Sequence, residues 1–397
     1  MPARTPPHIV TLILLSGIAA LNMNIFIPSL SNMANEFGVE YRVIQLSISL
    51  YLALSAVVQM VIGPVSDKWG RRPILLWSLF IFVLMTLGCI LAPTAGSFLF
   101  FRMGQAVVAT SLALSRAAVR DIYDTEQAAS RIAYVTMGMA LVPMFSPAIG
   151  GWIDDRFDWV ASFWVLLVLG AGALALTYLD FGETKQKSGL SLFEQFREYG
   201  ELLRAPRFWG YALASGLSSG TFFAYLGGAS FVGIDIYGLD TKMLGWMMSA
   251  PAVGYFIGNF MAGRFSRYIG LNRMIMLGCL TNLFGGLASL VLVMHGDATV
   301  YTFFGLMVFV GLGNGMCIPN ATAGAISVRP HLAGSASGLS GAVMIGVGAA
   351  LAALAGRVLV AGSSPLPLLL IMCVTAFAGV LAIIWVIRRE RALSLVA

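Results

Sequence analysis

Apolar runs of about twenty residues recur from one end of the chain to the other, and nearly all of its Asp, Glu, Lys and Arg are gathered in the short stretches between them. A helix rises ~1.5 Å per residue and the hydrocarbon core of a bilayer is ~30 Å thick, so each run is long enough to span a membrane. Read between the charges, the pattern predicts an all-α membrane protein with twelve spans, at 9–30, 43–65, 73–92, 97–118, 132–153, 159–179, 208–234, 243–263, 274–294, 298–320, 332–356 and 364–387. An even number returns both termini to one side. The first run, from Ile9, lacks a small-residue cleavage site and reads as a span rather than a removable leader.

The longest polar interval divides the chain into six-span halves, 1–181 and 207–397, joined by a linker at 182–206. Within the linker, Leu192, Phe193, Phe196, Leu202 and Leu203 recur at near-helical spacing among Lys185, Lys187, Glu194, Arg197, Glu198, Glu201 and Arg204. That is the pattern of an amphipathic helix lying on a membrane surface.

Composition agrees: hydrophobic residues are 58% and charged ones 11% of the chain, against roughly 25% charged in a soluble domain. The net charge of +6 does not indicate a nucleic-acid partner, because the basic residues sit in short loops and act as topology signals. With both termini in the cytoplasm, nineteen of the 24 Lys and Arg fall inside and four outside, namely Arg42, Arg156, Lys242 and Arg357; Arg102 lies within a span. Cys89, Cys279, Cys317 and Cys373 all lie in apolar runs without CxxC or His clustering, so they read as packing residues, and no metal or other cofactor is expected.

One polar turn stands out, Gly63-Pro64-Val65-Ser66-Asp67-Lys68-Trp69-Gly70-Arg71-Arg72-Pro73, between the second and third spans. It is too short to cross a bilayer and holds four charges. Gly63, Ser66 and Gly70 recur as Gly263, Ser266 and Gly270, two hundred residues later, where Asp67 is replaced by Arg267. Matched positions between the second and third spans of each half point to duplicated halves related by an axis along the membrane normal. Three further stretches carry chemistry: Phe101-Arg102-Met103-Gly104-Gln105-Ala106 with the following Ser115-Arg116-Ala117-Ala118-Val119-Arg120-Asp121; Gly138 and Pro143 through Pro147, Gly150 and Gly151; and Leu21-Asn22-Met23-Asn24-Ile25-Phe26-Ile27-Pro28.

Together the four stretches resemble the major facilitator superfamily, and within it the Bcr/CflA multidrug efflux transporters of the drug/proton antiporter group. The resemblance implies a major facilitator fold, a monomer in the bacterial inner membrane, a small amphipathic substrate and protons as partners. It implies that Asp67 caps a neighbouring helix and pairs with Arg, so that Gly63, Asp67, Gly70, Arg71, Arg72, Arg116, Arg120 and Asp121 form a cytoplasmic gate. Gly138, Pro143, Pro147, Gly150 and Gly151 match the antiporter motif of exporters, where glycine permits close helix approach and proline bends the helix.

The first span departs from the relatives. They read D-x-Y-L-P, with an Asp that serves as the proton site and faces the fourth-span Arg; here that position is Asn24, and an amide cannot exchange a proton near neutral pH. All eighteen Asp and Glu fall in loops or at helix ends, so Arg102 has no evident counter-charge. An isolated intramembrane charge is expensive and faces a partner or a wet cavity. Three readings stay open. Arg102 binds an anionic or zwitterionic substrate group with Asn22 and Asn24 as orienting partners; coupling has moved to a carboxylate at a helix end such as Asp235 or Asp121; or transport is uncoupled. Further cavity candidates are Tyr51, Gln59, Gln105, Met137, Met144, Phe145, Phe222, Phe223, Tyr225, Tyr255, Asn259 and Asn314.

The leading expectation is a proton-coupled exporter of amphipathic molecules, and the alternative is a transporter of a specific metabolite or organic anion. An intramembrane enzyme would need a polar catalytic set within the spans; there is no HExxH, and His8, His295 and His331 all lie near loops. No G-x-x-x-x-G-K-[ST] phosphate loop is present, so an ion or substrate gradient is the driver the sequence allows.

Overall fold

In the computed structural model the described residues are 7–122, 142, 145–184, 200–329, 333–360 and 362–394, and they are almost wholly helical. Helix α1 (Ile9–Asn24) passes through a 3-10 turn, Ile27–Ser29, into α2 (Leu30–Glu36), so the first span runs past its predicted end. Pro28 lies in that turn, where its missing N–H interrupts the α-helical ladder. Then follow α3 (Tyr41–Trp69) and α4 (Arg71–Ile90), and α5 (Ala95–Gly104), which a second 3-10 turn, Gln105–Val108, joins to α6 (Ala109–Ile122). Residues 145–156 are helical and lead to α7 (Trp159–Asp180).

After the linker come α8 (Pro206–Phe231), ending in a π turn at Val232–Ile236, then α9 (Thr241–Met247) and α10 (Ala250–Ile269). The chain closes with α11 (Leu271–His295), α12 (Val300–Ser327), α13 (Ala333–Val358) and α14 (Leu366–Ser394).

Among the described residues, ten helices are long and apolar enough to cross a membrane. Of the twelve predicted spans, 132–153 lies mostly outside the described residues, as does most of the proposed amphipathic linker helix. The predicted span 243–263 is split at Met248–Ser249 into α9 and α10. With Asn259, Arg264 and Arg267 along it, α10 is too polar to count among the ten.

The sequence repeat has a geometric counterpart. Gly70 and Gly270 cap α3 and α10 with φ of 99° and 91° and ψ of 152° and 147°, a region that side chains bearing a Cβ avoid. The fourth span of each half also starts alike: Thr94 and Ser97 form a capping box at α5, and Thr299 and Thr302 form one at α12.

Packing differs between the two ends of the bundle. Near α2 and the π turn, helices from before the linker and from after it share one apolar core, in which Phe26, Tyr41 and Ile48 pack with Tyr225, Phe231 and Phe304. Toward the Gly70 and Gly270 turns the core divides in two. One cluster, around Leu15, Phe82 and Phe181, draws only on helices before the linker. The other, around Phe208, Cys317 and Ile383, is built from the linker end and the helices after it, with Met60 touching its edge. Among the described residues, hydrogen bonds cross the seam at the shared end: Tyr41 Oη donates to Gly227 O at 3.0 Å, Gln45 Nε2 to Ala352 O at 2.5 Å, Ser230 Oγ to Pro28 O at 3.2 Å and Ser31 Oγ to Asp235 Oδ2 at 2.8 Å. The described parts of the two halves therefore share one core at one end and build separate cores at the other. Large apolar side chains such as Trp77, Val168, Phe260 and Val374 face outward, as a hydrocarbon surround requires.

Candidate functional site

Arg102 ends α5 just before the 3-10 turn, and its side chain is completely buried. Its guanidinium is held by neutral acceptors. Nη1 donates to Asn22 Oδ1 at 2.8 Å and Gln105 Oε1 at 2.6 Å, Nη2 to the Asn22 carbonyl at 2.9 Å, and Nε to the Ser47 carbonyl at 3.3 Å. The rings of Phe26 and Tyr51 lie on it, each centroid 4.3 Å from Cζ, and an aromatic face attracts a desolvated cation. Gln105 passes the network on, its Nε2 donating to Thr86 Oγ1 at 2.8 Å, and Thr86 Oγ1 to Phe82 O at 2.7 Å. A single knot thus ties α1, α3, α4 and α5.

The expected partnership with Arg102 divides. Asn22 and Gln105 hold it, whereas the Asn24 amide turns back along its own helix to Ala20 O at 2.7 Å. One residue before the break at Ile25–Ser29, Asn24 finds a carbonyl a turn below it, and that satisfies its donor. Its Oδ1 has no partner.

The second half carries a knot in the corresponding helices. Ser218 on α8 donates through Oγ to Asn314 Oδ1 on α12 at 2.7 Å, and Asn282 Nδ2 on α11 donates to Asn314 Oδ1 at 3.2 Å and to the Ser218 carbonyl at 3.2 Å. Asn314 was expected from the sequence; Asn282 and Ser218 were not. The signal for Asn282 was present, as an amide in the middle of the apolar run 274–294.

The remaining cavity candidates are scattered. Tyr225 is fully buried against Phe222 and Phe304, with its hydroxyl unpartnered. Tyr255 and Asn259 are half-buried on α10, and Asn259 Nδ2 donates to the Tyr255 carbonyl at 2.8 Å. An apolar cleft of about 410 Å³ lies between Phe145 and residues of α9, α10 and α12, and Phe145 is the one predicted cavity residue that lines it.

At the Gly70 end the cap of α4 is a residue the sequence reading missed. Glu183 accepts from the backbone N–H of Arg71 at 2.9 Å and of Arg72 at 3.3 Å, where a carboxylate meets the positive end of the helix dipole. Arg71 Nε pairs with Asp121 Oδ2 at 3.1 Å, and its Nη1 also donates to Ser66 Oγ. Arg72 Nη2 reaches the Tyr178 carbonyl at 2.8 Å. Of the predicted gate, Arg71, Arg72 and Asp121 thus come together around Gly70, Gly63 supplies a carbonyl to Ser66, and the side chains of Asp67, Arg116 and Arg120 lie outside the described residues. The corresponding end of the second half is held by Glu390, which accepts from Arg207 at 2.5 Å, Tyr211 at 2.9 Å and Asn272 at 2.5 Å.

Gly138 and Pro143 lie outside the described residues, but the rest of their motif packs at the shared end. A Cβ on Gly150 would overlap the Ile25 carbonyl, and one on Gly151 the Thr241 carbonyl; reciprocally, one on Gly245 would overlap Pro147 O. Gly151 and Gly245 let backbone meet backbone across the seam, and Gly150 does so within the first half.

The family model described as Major Facilitator Superfamily matches residues 12–344 and, in a second match, 233–396. The chain belongs to the Major Facilitator Superfamily. Among its relatives are the MFS-type transporter YdgK of Bacillus subtilis, 30% identical over 93% of this chain and 92% of the relative, and the bicyclomycin resistance protein homolog of Haemophilus influenzae, 27% identical over 92% and 93%. The multidrug resistance protein D of Escherichia coli is 29% identical over 90% and 91%. These likenesses place the chain with the Bcr/CflA-type branch of the superfamily as a multi-pass membrane transporter; its relatives are transporters rather than enzymes. Solved major facilitator structures agree in fold. A peptide transporter POT in complex with sulfate aligns with TM-score 0.76 at 13% identity over 99% of this chain and 96% of that one, and a bacterial homolog of the human lysosomal transporter Spinster with TM-score 0.70 at 16% identity over 96% of each.

Proposed function

We propose that the chain exports small amphipathic molecules across the bacterial inner membrane by proton antiport, with twelve spans in two six-helix halves, 1–181 and 207–397, that rock as a monomer about a central substrate path. The observation that carries this reading is the asymmetry of packing: one core shared by both halves at the α2 end, two separate cores at the Gly70 end. With Lys and Arg of the short loops placing the Gly70 end in the cytoplasm, this is an inward-facing state of an alternating-access cycle. The Gly63–Arg72 turn, with Arg71, Arg72, Asp121 and Glu183, is the cytoplasmic latch of the first half, and Asp67, Arg116 and Arg120 belong to it by position. Tyr255 and Asn259, half-buried on α10, serve the substrate path of the second half, while Tyr225 and Asn314 are buried in its packing.

Arg102 takes a structural part in this reading. A side chain with no exposed surface, whose fork is filled by Asn22, Gln105 and Ser47, offers little to an anionic substrate. That weighs against the organic-anion alternative.

The test is transport in proteoliposomes with an imposed pH gradient, using cationic, neutral and anionic amphipathic dyes with internal pH followed in parallel. Cationic and neutral dyes are expected to move against the proton flow and to speed collapse of the gradient. Flux indifferent to the gradient, or flux of anions alone, overturns the reading.

A further inference from the structure

The seam at the shared end contains one buried carboxylate that the sites above do not use. Asp154 follows the paired glycines Gly150 and Gly151, is only 9% exposed, and lies where the helical stretch 145–156 meets α2 and α9. Asn32 Nδ2 of α2 donates to Asp154 Oδ2 at 2.8 Å. Thr241, from the other half, opens α9 beside it, its carbonyl packed against Gly151. Next to Asn32, Ser31 donates across the seam to Asp235 at 2.8 Å. Adjacent residues of one short helix therefore hold a carboxylate from each half.

We propose that Asp154 is a titratable latch of this seam, protonated while the halves are joined here and ionised when they part. The inference rests on the alternating-access reading above. Closing the seam removes the carboxyl from water, and burial disfavours its charged form. Burial accordingly pushes the Asp154 carboxyl above its usual range; the Asn32 amide pulls the other way, and the negative charge of Asp158 adds to the rise. The other charged groups on the surrounding elements are occupied or exposed. Glu36 on α2 accepts from Trp159 Nε1 at 2.5 Å, while Lys242 on α9 and Asp155 and Arg156 beside Asp154 are exposed.

The sign follows from linkage. The joined state holds the proton more tightly, so acid favours joining; as pH rises through the joined-state pKa, ionisation of Asp154 favours parting. A proton bound and released on the same face of the membrane is not the transported one. It sets the pH at which that face opens.

The test uses spin labels on cysteines introduced at two exposed positions, Asn35 in the first half and Ser364 in the second, the four native cysteines being buried. Inter-label distances are read in nanodiscs from mildly acid to mildly alkaline pH. In the otherwise wild-type protein the ratio of joined to parted molecules is expected to fall by up to tenfold per pH unit, the slope of a single proton, between the parted-state pKa and the higher joined-state pKa, and to level off above the latter. Asp154→Asn keeps an acceptor for Asn32 but cannot ionise, and it should stay joined throughout; Asp235→Asn should titrate as wild type does. Asp154→Asn that titrates like wild type, or that shifts toward the parted state as a merely weakened contact would, overturns the latch alone. One distance at every pH in all three proteins overturns the latch and the alternating-access reading together. Wild type that titrates as expected but moves no protons in the liposome assay sustains the latch and removes the antiport reading.

Discussion

The two halves solve one problem with different chemistry. Each ties its first, third and fourth spans with a buried polar knot: Asn22, Thr86, Arg102 and Gln105 in the first half, Ser218, Asn282 and Asn314 in the second. The first knot is built on a cation and fills four donor directions of its fork. The second is neutral, and Asn282 Oδ1 is left without a partner. An apolar surround penalises every unpaired polar group, so both knots hold helices together. The charged one is harder to dissolve, because parting its helices would strand a guanidinium as well as four acceptors. The first half is thus expected to have a stiffer centre than the second.

The sharpest way to break the comparison is Arg102→Ala. Removing the centre of the charged knot orphans the Asn22 carbonyl, Asn22 Oδ1, Gln105 Oε1 and a bond to Ser47 O at once. Each buried acceptor left without its donor costs ~1–3 kcal/mol. A large fall in melting temperature in detergent, followed by tryptophan fluorescence, is expected, with loss of dye export. A melting temperature within a degree or two of wild type would show that the fork is not structural and would reopen the substrate-anion reading.

A smaller change sharpens it. Asn22 Nδ2 is buried without a partner while its Oδ1 already faces the cation. Asn22→Asp replaces the orphan donor with an oxygen and supplies the missing counter-charge. Charge-assisted bonds are about twice as strong as neutral ones, so a stabilisation of ~1 kcal/mol at neutral pH is expected, together with slower turnover if stiffness of this half limits the rocking. Asn24→Asp is not equivalent, because the Asn24 side chain is directed at Ala20 O.

How much of this was legible depended on the range of the interaction. The spans, the Gly70 and Gly270 turns and the importance of Arg102 follow from local pattern, since a long apolar run or a lone charge declares itself without its neighbours. Which amide meets Arg102 did not follow. Asn22 and Asn24 are two residues apart on one helix and so project about 160° apart around it, and only the packing of α1 on α5 decides between them. Glu183 and Asp154 were invisible for a related reason: each acts on a backbone or side chain brought to it by tertiary structure, Glu183 from 112 residues away and Asp154 from 122. The split of α9 from α10 was missed because the sequence marks that break only with a Ser-Ala-Pro step at Ser249, inside an otherwise continuous run.

The gentlest test lies in the neutral knot. Asn282→Leu removes three bonds longer than 3 Å, to Asn314 Oδ1, to the Ser218 carbonyl and to Ser218 Oγ, and also removes the unpaired Oδ1. Ser218 Oγ still satisfies Asn314 at 2.7 Å. Buried side-chain hydrogen bonds between membrane helices average ~0.6 kcal/mol, so the loss should be of that order and partly offset by deletion of the orphan acceptor. The melting temperature should fall far less than with Arg102→Ala, with export retained. A fall matching that of Arg102→Ala would mean that the neutral knot carries the same load as the charged one, and the assignment of stiffness to the first half would fail.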